Sequence, residues 1–201
     1  TFEFTRAQMA NIDGITLVGK VSTGNVQLSF TSNNTILYRI VFTKYFNIFF
    51  QTTTNVTRQV QNNELIVNAT STTASLDITI NQNLISSFNL TTSTGNIRLE
   101  APTTAGRISR ATLTTTTGNV WFNITNTFSL DRITATTTTG QVEAHIRSSS
   151  IQSRNAQVQL STVTGSVRLN INITNIESKI TASTSTGTVN ADIKGFVIVT
   201  E

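Results

Sequence analysis

The sequence predicts an all-β solenoid, and three observations carry this prediction. A short unit recurs along the 201 residues, each copy alternates apolar and polar positions around a central glycine, and threonine stands directly before that glycine. The clearest copy is LTTTTGNVWFNI, from Leu113 to Ile124. A unit repeated at a fixed period is the signature of a solenoid, in which each copy forms one rung and stacks on the next.

The central glycines mark the corners of the predicted rungs, about 22 residues apart. Glycine suits a corner because it tolerates positive φ and close backbone approach. In one copy Ala74 takes its place, and the longer interval between Gly24 and Ala74 has room for two units. The corner glycines are Gly24, Gly95, Gly118, Gly140, Gly165 and Gly187.

Alternation on each side of the glycine predicts two strands that meet at the corner. Counted from Gly118, apolar residues occupy +2, +4 and +6 (Val120, Phe122, Ile124) and, before the corner, −7 and −5 (Ala111, Leu113). A third, less regular segment, which includes Phe128 and Leu130, is predicted to close each turn. The threonines at −1 would stack into a ladder of β-branched side chains.

The alternative is an antiparallel β-sandwich in which each Thr-Gly-Asn is a hairpin turn. The solenoid is favoured because every copy keeps one orientation and one corner chemistry.

The chain divides into an N-terminal strand, residues 1–10, and a single β-rich domain, residues 11–201. The opening TFEFTR alternates, with Phe2 and Phe4 on one face. It is predicted to pack on its own domain or to be donated to a neighbouring copy. Residues 31–66 are irregular and rich in aromatic side chains, which indicates either a broader core or a groove for such a strand. Residues 67–199 carry the regular repeats, ending in an apolar C-terminal strand.

Composition excludes several classes of function. Charged residues make up 12% of the chain and the net charge is +4, with no basic run, so a nucleic-acid partner is not predicted. There is no cysteine, which excludes disulfides and thiol chemistry. The apolar run from Ile36 to Phe50 is too short for a membrane helix, and no membrane span is predicted. The sequence begins at Thr1 and not at a methionine, which fits either a mature product whose signal peptide has been removed or a chain that was simply trimmed.

Candidate chemistry lies on the outward-facing positions +3 and +5. Stacking would place Asp77 beside Arg98, Glu143 beside Arg168, and Arg98 over Trp121. Glu143, His145 and Arg168 are the only cluster that a polysaccharide-degrading enzyme would use, and a solvated ladder explains the same residues. We therefore expect no catalytic residues, no metal and no cofactor.

Six Asn-x-Ser/Thr sequons are candidate N-glycosylation sites. Asn68, Asn89 and Asn123 fall on outward parity, where a glycan would not disturb the core. The full set is Asn33, Asn55, Asn68, Asn89, Asn123 and Asn172.

The repeated T-x-T-G-N-V-x-L-x-I unit resembles the putative-adhesin family of bacterial and archaeal surface proteins, over residues 68–193 and the copy from Lys20 to Phe30. The resemblance implies a β-solenoid with a Ser/Thr-Gly corner in every rung and no defined active site.

The Thr/Asn-rich, cysteine-free composition with an apolar N-terminal strand is also similar to archaeal surface filament subunits of the thread type. That likeness implies an extracellular, N-glycosylated homopolymer joined head to tail by strand donation through Phe2 and Phe4. The alternative is a monomeric or cell-anchored adhesin that binds surface glycans or other cells, with Trp121 as its platform.

Overall fold

A computed structural model describes residues 1–8, 11–44, 51–101, 106–125, 128–148, 156–173 and 178–194. These ranges contain fifteen strands and no helix, so the prediction of an all-β fold is confirmed. The aromatic residues at 45–50 and the predicted C-terminal strand lie outside the described residues. The strands are β1 (Phe2–Thr5), β2 (Gly14–Thr23), β3 (Val26–Thr31), β4 (Ile36–Lys44), β5 (Thr54–Gln61), β6 (Glu64–Ser71), β7 (Ala74–Asn81), β8 (Ile85–Thr94), β9 (Ile97–Ala101), β10 (Gly106–Thr117), β11 (Val120–Thr125), β12 (Phe128–Thr139), β13 (Val142–Ser148), β14 (Ala156–Ile173) and β15 (Ser178–Lys194).

Five repeats form rungs of two strands each, and equivalent strands of neighbouring rungs pair in parallel. Leu113 of β10 lies opposite Leu90 of β8 on one side and Ala135 of β12 on the other. The strands before the corners form one layer, in the order β6, β2, β8, β10, β12, and the strands after them form a second, in the order β7, β3, β9, β11, β13. In the last two rungs β14 and β15 run through the corner without a break and join the layers.

The parallel register rules out the antiparallel sandwich for the repeats. It also corrects two details of the sequence interpretation. Phe128 and Leu130, assigned above to a third segment, lie inside β12, and the described part of that rung has two strands, β12 and β13. Between β3 and β6 the described strands are β4 and β5, which pair antiparallel with β7 and β6 at one end of the stack, so the described residues of this segment form no additional parallel rung.

The rungs do not stack in chain order at this end. The rung of β2 and β3 lies between the rung of β6 and β7 and that of β8 and β9. As a result Gln27 separates Asp77 from Arg98, and the predicted contact between those two charged residues is wrong.

The core lies between the two layers and follows the alternation read from the sequence. Val120, Phe122 and Ile124 of β11 are buried, as are Ala111 and Leu113 of β10. The layers meet directly: the rings of Phe30 and Phe88, one from each layer, lie 5.9 Å apart edge to face. A methyl group on Gly19 of β2 would come within 3.1 Å of the Leu76 side chain in the opposite layer.

The corner glycines lie in one column at close backbone contact. Gly118 and its equivalents have φ between 140° and 144°, a region that L side chains rarely adopt. A Cβ on Gly118 would lie 2.0 Å from the carbonyl oxygen of Gly95, and one on Gly95 would lie 2.1 Å from that of Gly24. Ala74 is tolerated because its φ is not positive and it stands at the end of the column.

Buried threonines at −3 satisfy the carbonyl groups of the column. Thr115 Oγ1 donates to the Gly95 carbonyl at 3.0 Å, and Thr137 Oγ1 donates to that of Gly118 at 2.9 Å. Thr92, Thr162 and Thr184 repeat the bond. Because a buried polar group without a partner costs about 1–3 kcal/mol, the loss of any one of these hydroxyls is expected to destabilise the stack.

We expect Gly118→Ala to destabilise the protein by at least about 3 kcal/mol, since positive φ and a backbone overlap act together. Gly24→Ala is the matched control. Its φ is 144°, and the nearest atom to the added Cβ, the Ala74 carbonyl oxygen, is 2.9 Å away, which is still a close contact but a milder one than the 2.0 Å at Gly118, so we expect a smaller loss. Chemical unfolding of both variants measures the difference, and equal losses of unfolding free energy would show that close stacking does not limit the corner.

Candidate functional site

An open groove of about 580 Å³ lies on the outer side of the post-corner layer. We call it the corner groove. It follows the stack axis across the four rungs whose post-corner strands are β3, β9, β11 and β13. Its lining residues are Asn25, Val26, Gln27, Asn96, Ile97, Arg98, Asn119, Trp121, Gln141 and Glu143.

One wall of the groove is a row of amide side chains at +1, directly after the corner glycines. Asn25 Oδ1 accepts the backbone N–H of Asn96 at 2.9 Å, and Asn96 Oδ1 accepts that of Asn119 at 2.9 Å. Asn119 Oδ1 accepts the N–H of Gln141 at 2.8 Å. Each asparagine is held by its oxygen, so its NH₂ group has a fixed position and remains able to donate outward.

Trp121 forms the floor beside this row. It is half-buried, and the Arg98 guanidinium lies 4.5 Å from its ring centroid, as predicted from the repeat. The His145 ring is tilted against it, with centroids 6.3 Å apart. The indole therefore has a defined position although it lies on an outer face.

The charges around Trp121 are paired within the protein. Arg98 Nη2 bonds Glu100 Oε1 at 2.5 Å. Glu143 Oε1 lies 2.8 Å from His145 Nε2 and 4.0 Å from Arg168 Nη1, which confirms the predicted neighbourhood of Glu143 and Arg168. The groove thus offers hydrogen-bond donors and an aromatic ring in a charge-balanced setting.

The N-terminal strand lies at the end of the stack that carries β4 and β5. β1 pairs antiparallel with β4 of its own chain, with Phe2 opposite Ile40 and Phe4 opposite Tyr38. Phe4 stacks on Tyr38 at 5.2 Å between ring centroids, and the Arg58 guanidinium of β5 lies 3.5 Å from the Phe4 ring centroid. Phe2 stays 40% exposed. The structure thus places β1 at the outer edge of its own sheet.

Tyr38 beneath Phe4 is fully buried, and among the described residues its hydroxyl has no hydrogen-bond partner. Burial raises the pKa of Tyr38 from 10.0 to about 12, an effect that the nearby Arg58 charge reduces. The folded state therefore favours the neutral, protonated form of the Tyr38 side chain.

The six predicted glycosylation asparagines are distributed over both faces and one end. Asn68 and Asn89 are exposed on the pre-corner layer, two rungs apart with Val18 between them. Asn123 is half-buried and Asn172 exposed on the post-corner layer, and Asn55 is exposed on β5. Asn33 is exposed in the turn before β4, where its Oδ1 accepts from the Thr35 hydroxyl at 2.7 Å.

Within the described ranges no cluster of three or more histidine and carboxylate side chains is arranged to hold a metal ion. No helix in the same ranges is long and apolar enough to cross a membrane.

Sequence reasoning missed both rows that organise the corner. In five successive copies a threonine stands at −3, a position that faces the core by alternation. A polar residue at a core position needs a buried hydrogen-bond partner, so this pattern could have revealed the bond to the glycine carbonyl. Asparagine at +1 recurs at Asn25, Asn96 and Asn119. Its role depends on the next rung lying one strand away, which only the stacked structure shows.

The fold is that of a parallel two-layered β-solenoid, and one solved structure shares it over nearly the whole chain. No protein-family model matches the sequence, and no curated protein sequence matches it. The crystal structure of a "putative cell adhesion protein" from Clostridium sporogenes superposes with a TM-score of 0.62 at 10% identity, covering 92% of this chain and 94% of that one.

A "putative adhesin" from Bacteroides fragilis aligns over 90% of this chain and 94% of its own, with 11% identity and a TM-score of 0.32, which is too low to support an argument. The first likeness establishes the fold. The predicted likeness to archaeal filament subunits stays a prediction.

Tyr38→Phe tests the buried phenol. In the native protein the unfolded chain ionises near its ordinary pKa of 10.0 while the folded chain holds its proton to about 12. The folded state therefore binds more protons in that window, and unfolding free energy falls with rising pH by up to about 1.4 kcal/mol per unit. We expect Tyr38→Phe to be as stable as the native protein near neutrality or more so, and to lose this slope. Denaturant unfolding from neutral to alkaline pH measures it, and an unchanged slope would contradict it.

Proposed function

We propose that this chain is an extracellular, adhesin-like protein displayed at the cell surface, with a structural and ligand-binding role. The observation that carries the proposal is the parallel stack with hydroxyl- and amide-rich outer faces, a fold shared with a protein described as a cell adhesion protein. The low charge content agrees with it, because such faces interact through hydrogen bonds instead of ion pairs.

We also propose that the protein is not an enzyme. Glu143 and His145, the candidates for acid–base chemistry, bond each other on an outer face, and Glu143 also faces Arg168. A glycosidase needs two carboxyl groups placed on either side of one bond. The other carboxylate beside Trp121, Glu100, is engaged by Arg98.

The form of display that we propose is a head-to-tail filament of identical copies. Among the described residues β15 pairs with β14 alone, and its inward-parity side chains Val189 and Ile193 are 41% and 38% exposed. A long unpaired edge of this kind is a template for another chain. The opposite end of the stack presents different strands, β5 and β1, so end-to-end contact between copies is heterologous, and it propagates as an open polymer unless the rotation between copies closes a ring.

Strand exchange at the β1 end is a further proposal for how copies are joined, separate from the contact at the β15 edge, because β1 and β4 both lie at the end of the stack away from β15. β1 has only four residues that pair with β4 of its own chain. Two side-chain contacts add to this pairing: the Glu3–Arg39 ion pair at 2.5 Å and the stacking of Phe4 on Tyr38. A β1 from a neighbouring copy would make the same contacts on β4, so exchange costs little enthalpy. Exchanging an identical element is a low-cost route to assembly.

Electron microscopy of the intact protein beside a version lacking residues 1–10 tests the filament. We expect filaments from the first and dispersed particles from the second. A synthetic peptide of residues 1–10 should bind the truncated protein and raise its unfolding midpoint, whereas the same peptide with Phe4→Ser should not. Polymerisation of the truncated protein, or a dispersed intact protein, would exclude strand exchange. Surface labelling of native cells with an antibody tests display independently.

N-glycosylation is proposed at the exposed sequons. Asn33, Asn55, Asn68, Asn89 and Asn172 are accessible, whereas half-buried Asn123 lies on β11 between paired strands. Glycopeptide mass spectrometry of protein from its native source should find occupancy among the five and lowest occupancy at Asn123. Unmodified peptides at all six positions would remove the glycan proposal.

A further inference from the structure

We propose that the corner groove binds an extended, uncharged glycan that lies along the stack axis. This inference rests on the proposed adhesive function and assigns it a site and a class of ligand. The geometry of the amide row, the position of Trp121 and the pairing of the nearby charges support it.

The amide row is a set of donors with fixed spacing. Asn25, Asn96 and Asn119 each use Oδ1 to accept a backbone N–H of the next rung, so each NH₂ group is oriented before any ligand arrives. Successive donors are one strand spacing apart, about 4.8 Å. A ligand that accepts from several of them must carry oxygen atoms at intervals along an extended chain. Preorganised donors bind more tightly because less conformational entropy is lost.

Trp121 supplies a surface for the apolar face of a sugar ring. It lies two residues after Asn119 on the same rung, and Arg98 and His145 hold it in place. A pyranose ring has a face of C–H groups and a rim of hydroxyl and ring oxygens. A flat aromatic ring beside a row of N–H donors complements both features.

The pairing of charges selects an uncharged ligand. Arg98 is bonded to Glu100, and Glu143 lies between His145 and Arg168. A polyanion would need these cations to leave their carboxylates, and would meet Glu143 within the groove. Phosphate-rich chains bind where several unpaired Lys and Arg side chains converge, which the groove lining does not offer.

The groove also disfavours a peptide strand. β3, β9, β11 and β13 are each paired on both sides, so their backbone groups are already bonded. A peptide that binds by strand addition needs a free edge. The free donors of this surface are therefore side-chain amides, which suit hydroxyl and acetamido acceptors.

The test uses the intact protein, whose single tryptophan is Trp121. Uncharged hexasaccharides of glucose, mannose and N-acetylglucosamine are titrated while tryptophan emission is followed, with a heparin oligosaccharide as the anionic comparison. We expect a saturable change in emission with at least one uncharged probe and none with heparin. Calorimetry then gives affinities for the variants.

Asn96→Asp is the decisive variant. It keeps an oxygen to accept the Asn119 N–H and replaces the outward NH₂ donor with a second oxygen. We expect at least about tenfold weaker binding, the cost of one lost hydrogen bond. Asn89→Asp is the matched control: it is the same change on the same rung, exposed on the opposite layer, and should bind as the native protein does. Trp121→Ala should abolish measurable binding by calorimetry.

Three results would overturn the assignment: no uncharged probe binds at millimolar concentration, heparin binds in preference, or Asn96→Asp binds as Asn89→Asp does. Surface display of the protein, seen by antibody labelling, does not depend on the groove. A displayed protein that fails these titrations therefore leaves the adhesive proposal standing and removes only the glycan site.

Discussion

Close approach of backbones at the corner is the constraint on which the rest of the molecule depends. At Gly118 and its equivalents the chain turns at positive φ, and the carbonyl group of the rung below occupies the place of a Cβ. A one-residue slip of any rung would bring a side chain into that space. The column therefore fixes the register of every rung, and a fixed register keeps equivalent side chains aligned along the whole stack.

Because the rungs are in register, equivalent side chains of the repeats form continuous rows along the stack. The same register that points the −3 threonines at buried carbonyl groups places the +1 asparagines in a row on the outside. The carbonyl groups inside the corner accept from the neighbouring rung, and each asparagine outside keeps its NH₂ group, with two N–H donors, available. Trp121 is the one tryptophan of the chain, and its ring gives the corner groove an aromatic surface beside the asparagine row.

The two ends of the stack are unlike, which matters for assembly. One end adds the antiparallel strands β5, β4 and β1, and buries the Tyr38 phenol beneath Phe4. At the other, within the described residues, β15 offers an unpaired edge with exposed Val189 and Ile193. Repeat stacks need their terminal faces covered. A neighbouring copy is one means of covering β15, and the edge position of β1 is what makes strand exchange a testable joint.

The sequence by itself determined the all-β class, the period, the corner glycines and which residues face inward. These are local properties. The alternation around Gly118 follows from strand geometry, and glycine is required at the tight corner because it has no Cβ. Only the tertiary structure decided which rungs are neighbours. The chain places β2 and β3 between two later rungs, so Gln27 separates Asp77 from Arg98, and no local pattern records that order. Three other features also depend on the path of the chain between rungs: the pairing of β1 with β4, the antiparallel course of β4 and β5, and the asparagine row. Each of these features brings together residues that are distant in the sequence, and the alternation pattern does not record such contacts.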